Sequence, residues 1–245
     1  MEWLDEGLLL HIRPHGESGA ITTFITQHHG LTKGYIRVNK KYPLQPGSLY
    51  HLKYKSKLAS NLGLLTTEQH ELFGPLIYAA LQSPIKLACV NSIRTLLMTS
   101  LIDRDIVGDF YTQIKHYIQE ICLHEHIGSY VLFEKDLLYH CGFGLDLTRC
   151  AVTNAKDNLA YVSPKTGRAV TAEVGRPYAH QLFALPNPLY NPHISTWTSN
   201  DILDGLKITN HFLEGMIHDT LNRAMPAERN YLIRYLTKKL TSSST

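Results

Sequence analysis

Residues 141–170, CGFGLDLTRCAVTNAKDNLAYVSPKTGRAV, carry the side chains with the greatest chemical reach: two thiols, a Gly-rich break and a Lys-Thr-Gly-Arg turn. Several chemistries use such parts, and spacing decides among them. A zinc ribbon needs two ligand pairs, each separated by about two residues. Cys150 has Thr153 where its partner would stand, and Gly167 to Val170 leads on to Glu173 without a cysteine or histidine. Cys141 and Cys150 alone supply two sulfurs, short of a tetrahedral set. Gly142-Phe143-Gly144 lacks the third glycine and preceding strand of a dinucleotide fingerprint and reads as a helix stop. Lys165-Thr166-Gly167 has the triplet of β-lactamases, but no Ser-x-x-Lys accompanies it, and Pro164 makes it a turn. His140 beside Cys141 would activate a thiol only within hydrogen-bond reach, and sequence neighbours usually point apart. His124-Glu125-His126 is not HExxH, so two imidazoles cannot share a helix face for zinc. The expectation is a protein without catalytic residues, and with Cys150 as a lone ligand-like position rather than a structural zinc site.

The second group of candidates is cationic. The net charge is only +3, but residues 11–60 hold eight basic side chains (Arg13, Lys33, Arg37, Lys40, Lys41, Lys53, Lys55, Lys57) against one acidic, Glu17. Lys53, Lys55 and Lys57 repeat with period two, which lines them along one sheet face, while Tyr50, Leu52 and Tyr54 point the other way. A field of this kind attracts phosphate in a salt-sensitive, sequence-tolerant way, although a charge run is often only a solvated face. The candidate nucleic-acid-binding residues are Arg37, Lys40, Lys41, Lys53, Lys55 and Lys57, with Lys165 and Arg168 as a weaker second patch. Tyr35 is a minor candidate for base stacking.

Both groups must be positioned by the elements around them. Residues 1–58 alternate apolar and polar with turn signals at His15–Gly19, His29-Gly30 and Gln45-Pro46-Gly47. Leu8, Leu10 and Ile12 are expected on one face. Several short antiparallel strands in so few residues cannot build a sandwich of usual size, so a small closed barrel is predicted. From about residue 72 the period becomes helical. Ser83 is placed to cap a helix opened by Pro84, further helices span 110–123 and 127–141, and helical spacing returns at 200–222 and after Pro226. Their broad apolar faces predict a bundle. Residues 142–198 are irregular, and Leu185–Pro192 is too rich in Pro and Asn to sustain a helix. The resulting domains are 1–70, a bundle of 71–141 with 199–240, and an insertion at 142–198. No apolar run approaches the ~18 residues of a membrane span. The N-terminus lacks the basic region and cleavage site of a signal peptide, so a cytoplasmic location with reduced thiols is expected.

The order of these parts resembles the RecO family of bacterial recombination mediators. MEWLDEGLLLHIRPHGESGAITTFITQHHGL looks like that family's opening strands, and Gln45-Pro46-Gly47-Ser48 like its LxPG turn. Leu138 through Val170 is similar to the alphaproteobacterial form, GFGLDLxxCAxT followed by YVSPKxGRAV, and His211-Phe212-Leu213-Glu214 fits the C-terminal helical segment. The resemblance implies an α+β protein with an N-terminal OB-fold barrel, a helical bundle and a zinc-ribbon-like insertion. It implies a non-enzymatic protein that binds single- and double-stranded DNA and anneals complementary strands. It also implies partners: RecR, the C-terminal tail of the single-strand-binding protein docking on the bundle, and indirectly RecA. Four-cysteine members bind zinc in the insertion, but here only Cys150 matches a ligand position. Where relatives often carry an Arg-rich loop, this chain has Arg37, Lys40 and Lys41 before Tyr42-Pro43. A reading from another class is a scaffold that recruits partners through its helices and leaves DNA alone.

Overall fold

The computed structural model describes residues 1–38, 43–58, 62–69, 74–103 and 105–242. The chain forms two compact units, Met1–Glu125 and His126–Thr245. The fold is α+β.

The first unit begins with β1 (Glu2–His15), β2 (Gly19–Thr26), β3 (Gly30–Arg37), β4 (Leu49–Lys55) and β5 (Gly63–Gln69). These close into a barrel in the order β1-β2-β3-β5-β4, an OB-type arrangement. β1 serves two neighbours, pairing with β4 through its first half and with β2 through its second. β3 and β5 run parallel and seal the barrel. Closure removes the free edges that would otherwise template aggregation. Leu9, Phe24, Ile36, Leu52, Tyr54 and Leu65 fill the interior, each fully buried aliphatic or Phe side chain stabilising by roughly 1.5–3 kcal/mol.

The strict alternation expected of β1 breaks in its middle. The register shifts between Leu9 and His11, and Leu8, Leu9 and Leu10 are all 0% exposed, so Leu8, Leu10 and Ile12 do not share one simple face. A bulge bends the strand here and takes a carbonyl out of the ladder. Arg94 satisfies it: Nε and NH2 both donate to the Leu10 carbonyl, at 2.8 and 2.6 Å. Arg94 lies on α2 (Pro84–Ser100), which follows α1 (Gly74–Leu81) and precedes α3 (Gly108–His124). Ser83 occupies the cap position of α2 with extended backbone, but its side chain makes no capping hydrogen bond. Pro84 needs no N–H donor partner there, which is why the start holds without one.

The second unit contains α4 (Gly128–His140), β6 (Leu159–Val162), β7 (Ala169–Thr171), α5 (Ala172–Gly175), β8 (Phe183–Ala184), α6 (Asn187–Tyr190), α7 (Ser199–Glu214) and α8 (Ala227–Ser242). The Pro/Asn-rich stretch does hold one helical turn, α6, because Pro188 sits at its first positions, where the ring is tolerated. α7 opens on a capping box in which Thr198 and Asp201 satisfy each other's backbone N–H. The helix expected to run to 222 changes at Gly215 into a π-turn, Gly215–Thr220. Between α4 and α8, Glu134 and Arg229 form an ion pair with both side chains 0% exposed. β7-β6-β8 make a three-stranded sheet, with Asp146 bridging alongside to Arg168.

Candidate nucleic-acid interface

On β4, His51, Lys53 and Lys55 are exposed while Tyr50, Leu52 and Tyr54 are buried, so the period-two reading of this strand is realised side chain by side chain. Lys57 continues the line just past the strand and is also exposed. Arg37 joins them through the barrel register. Ile36, Leu65 and Tyr54 stand in one row across β3, β5 and β4. One step further along each strand come Arg37, Thr66 and Lys53, on the outward side. Strands lie about 4.8 Å apart, so the backbones of Arg37 and Lys53 stand roughly 10 Å from each other on either side of Thr66. The barrel thus gathers Arg37, Lys53, Lys55 and Lys57 on one outer wall. Lys40 and Lys41 lie outside the described residues. Tyr35 is half-buried, edge-on to His15 at 6.2 Å, and its ring fills the space beside Gly19.

The wall carries its own counter-charge. Glu2, opposite Lys55 in the β1–β4 register, places Oε1 at 2.8 Å from Lys53 Nζ and Oε2 at 3.7 Å from Lys55 Nζ. Lys53 first, through its hydrogen bond and charge, and then Lys55 hold the Glu2 carboxyl below the usual carboxylate range. Glu2 in turn raises the Lys53 ammonium. These groups are well exposed, so the pairs are the weak, salt-screened kind. Lys33, in the middle of β3, is engaged by both oxygens of Asp103, at 3.0 and 2.8 Å.

In the second unit, Lys165 is exposed in a turn where the Gly167 N–H donates to the Ser163 carbonyl at 2.9 Å and Gly167 has φ +66°. Pro164 and Gly167 take the positions their backbone preferences require. Arg168 is tied to Asp146, Nε to Oδ2 at 3.3 Å. Asp146 also accepts from the Thr148 hydroxyl at 2.8 Å, the largest reason its carboxyl is held low.

Cys150 is 1% exposed and free. Burial pushes its thiol up. The Thr153 hydroxyl and the backbone N–H groups of Thr153, Val152 and Thr171 outweigh that and hold it at about 6. Thr153 therefore acts as a donor to the sulfur at the position where a zinc ribbon places its second ligand. Among the described residues no group of three or more His, Cys, Asp or Glu side chains is placed to hold a metal. One sulfur satisfied by N–H and O–H donors does not fit a tetrahedral zinc site.

One cluster lies beyond the sequence reading. The Asp5 side chain is 1% exposed, yet takes four donors: the Glu6 N–H at 2.8 Å, the His28 N–H at 3.0 Å, His28 Nδ1 at 3.0 Å and His29 Nδ1 at 2.9 Å. An ionised carboxylate only accepts, so both imidazoles carry their proton on Nδ1. The available signal was parity, since Asp5 shares the inward register of Trp3, Gly7 and Leu9. Burial pushes the Asp5 carboxyl up, but the bonds from His29, His28 and Glu6 overcome it and leave it below its ordinary value. A depressed carboxylate adds stability above about pH 4, which is lost as pH falls through the lowered value. Asp5→Asn turns an amide N–H₂ toward existing donors and is expected to cost about 1–3 kcal/mol at neutral pH. The gap from wild type should close in acid. Thermal unfolding between pH 3 and pH 7, expressed about the ordinary Asp pKa of ~3.9, tests this, and a pH-independent gap would refute it.

A small OB-type barrel with a basic outer wall, followed by helices, defines the class of protein. Its affiliation is specific. Residues 1–73 match the family description "Recombination protein O N terminal" and residues 81–223 match "Recombination protein O C terminal". The chain is 34% identical over 244 residues to the DNA repair protein RecO of Caulobacter vibrioides, covering 97% of this chain and 98% of the relative. It is 37% identical over 245 residues to that of Cereibacter sphaeroides strain KD131 (97% and 99% covered), and 32% over 243 residues to that of a Wolbachia pipientis strain (96% and 99%). The chain belongs to the RecO family of DNA repair and recombination proteins. Among the described residues no helix is long and apolar enough to cross a membrane.

Proposed function

We propose that this protein is a non-enzymatic, zinc-free recombination mediator of the cytoplasm. It binds single- and double-stranded DNA on the outer wall of the barrel and anneals complementary strands. With RecR it helps load RecA onto DNA coated with single-strand-binding protein, whose C-terminal tail docks on the helices. The observation that carries the reading is the alignment of Arg37, Lys53, Lys55 and Lys57 on one face. Annealing two polyanions needs phosphate charge neutralised while base edges stay free to pair, and a cationic sheet face that grips backbone does that. Lys165 and Arg168 supply the second, weaker patch. The test is annealing of complementary strands coated with single-strand-binding protein, with and without this protein; no acceleration would refute the reading.

One observation favours the scaffold alternative: Lys53, Lys55, Lys33 and Arg168 all have carboxylate partners within the protein. A gel shift with single-stranded DNA at physiological salt separates the two. On the mediator reading Glu2 competes with phosphate for the same lysines. Glu2→Gln is then expected to tighten DNA binding by about two- to fivefold at low salt, the scale of an exposed ion pair. Fluorescence anisotropy measures it, and an unchanged affinity would show that the two lysines meet no phosphate.

A further inference from the structure

At one end of the barrel, beneath the lysine wall, three rings form a column. Trp3 stacks on His29 at 3.9 Å and 8°, and on Tyr54 at 4.7 Å and 10°. Tyr54 is 2% exposed, so that end of the column is buried. The His29 side chain is 33% exposed, so the column is open to solvent at that end. It borders a cavity of about 380 Å³, within the size range of small-ligand sites. Leu31 and the exposed Leu62 and Ile106 give the cavity apolar walls, and the Lys33–Asp103 pair stands at its rim with donors and acceptors for a polar edge. The Asp5 carboxylate locks the His29 ring in place through Nδ1 at 2.9 Å, so the platform is preorganised. Trp3 and Tyr54 are register partners, one residue from Glu2, Lys53 and Lys55. The column is therefore anchored in the same two strands that carry the phosphate-attracting wall.

We propose that this cavity receives one unpaired nucleobase of single-stranded DNA, stacked as a fourth ring on the open face of His29, while the neighbouring phosphates lie along the lysines. The proposal rests on the DNA-binding reading and deepens it: the wall handles any backbone, and the cavity distinguishes an unpaired base from a paired one. A duplex keeps its bases stacked inside and cannot fill the site without extruding one.

The test compares two probes of equal length on the intact protein, oligothymidylate and an abasic deoxyribose-phosphate oligomer. Wild type is expected to bind the thymidylate about tenfold more tightly, the effect of one stacked base. His29→Ala should bring the two probes within about twofold of each other without changing affinity for the abasic one. His29→Phe, which keeps a ring face but not the Asp5 bond, should restore the preference. Equal binding of both probes by wild type, a preference that survives His29→Ala, or failure of His29→Phe to restore it would overturn the base site while leaving backbone binding intact. If neither probe binds, the DNA reading falls, and this one with it.

Discussion

Replacing Lys53 and Lys55 together by glutamate is expected to weaken DNA binding by roughly 10- to 100-fold near physiological salt, equally for all sequences. Both lysines lie on the outward side of β4 beside Arg37 and Lys57, and both are already partly neutralised by Glu2. Reversal does more than remove two phosphate contacts, since it leaves three carboxylates together where a polyanion should lie. The slope of log affinity against log salt should fall by about 1.4, two contacts at ~0.7 each for a single strand. Glutamate at position 55 would face Glu2 directly across the strands, a like-charge pair that disfavours the strand pairing. The neutral pair Lys53→Gln/Lys55→Gln separates that cost from lost phosphate contact, because it should lower the slope equally with little effect on stability. Binding isotherms across a salt series measure both quantities. An unchanged slope would place the DNA elsewhere.

The second large effect concerns stability. Arg229→Met is expected to destabilise the His126–Thr245 unit by about 3–5 kcal/mol, lowering its melting temperature by roughly 10–20 °C. Arg229 donates to Glu134 from Nε at 2.7 Å and NH2 at 3.1 Å, and from NH1 to Asn210 at 2.6 Å. Tyr130 donates to the same carboxylate at 2.6 Å, as does the Thr209 hydroxyl. Burial opposes the guanidinium charge, but the adjacent Glu134 carboxylate more than offsets it and raises the Arg229 pKa. Removing Arg229 leaves the buried Glu134 charge with only the Tyr130 and Thr209 hydroxyls as donors and no counter-charge. Removing both, as Arg229→Met with Glu134→Leu, should recover part of the loss, because no buried charge remains even though the Tyr130 and Thr209 hydroxyls lose their acceptor. Hydrogen exchange along α4 and α7 would localise the change, and equal losses in the single and double variants would refute the coupling.

These two sites differ in how far the sequence reveals them. The lysine wall is legible because a strand's period is local: alternate residues of 50–57 suffice to say which side chains point out. The same logic finds the barrel and the Ser163–Gly167 turn. What escapes is whatever depends on register between distant segments. Glu2 meets Lys53 only because β1 and β4 pair. Asp5 meets His28 and His29 only because a turn at the end of β2 folds back over β1. Glu134 stands out as a carboxylate in an apolar helix pattern, but its partner is 95 residues away, and nothing local selects Arg229 among the basic residues of the last helix. The bulge at Leu9/His11 is hidden for a similar reason, since an unbroken apolar run does not say where a strand slips its register.

The pairing pattern of β1 bears on when the wall comes into being. The β1–β2–β3 hairpins join near neighbours and can form early, whereas the β1–β4 and β3–β5 contacts close long loops, whose entropy must be lost before any contact repays it. Arg37 and the lysines of β4 come together only at that last step. A nascent or partly folded chain is expected to show the hairpins without the assembled cationic surface, so affinity for nucleic acid should be acquired at the end of folding, after β5 has emerged from the ribosome.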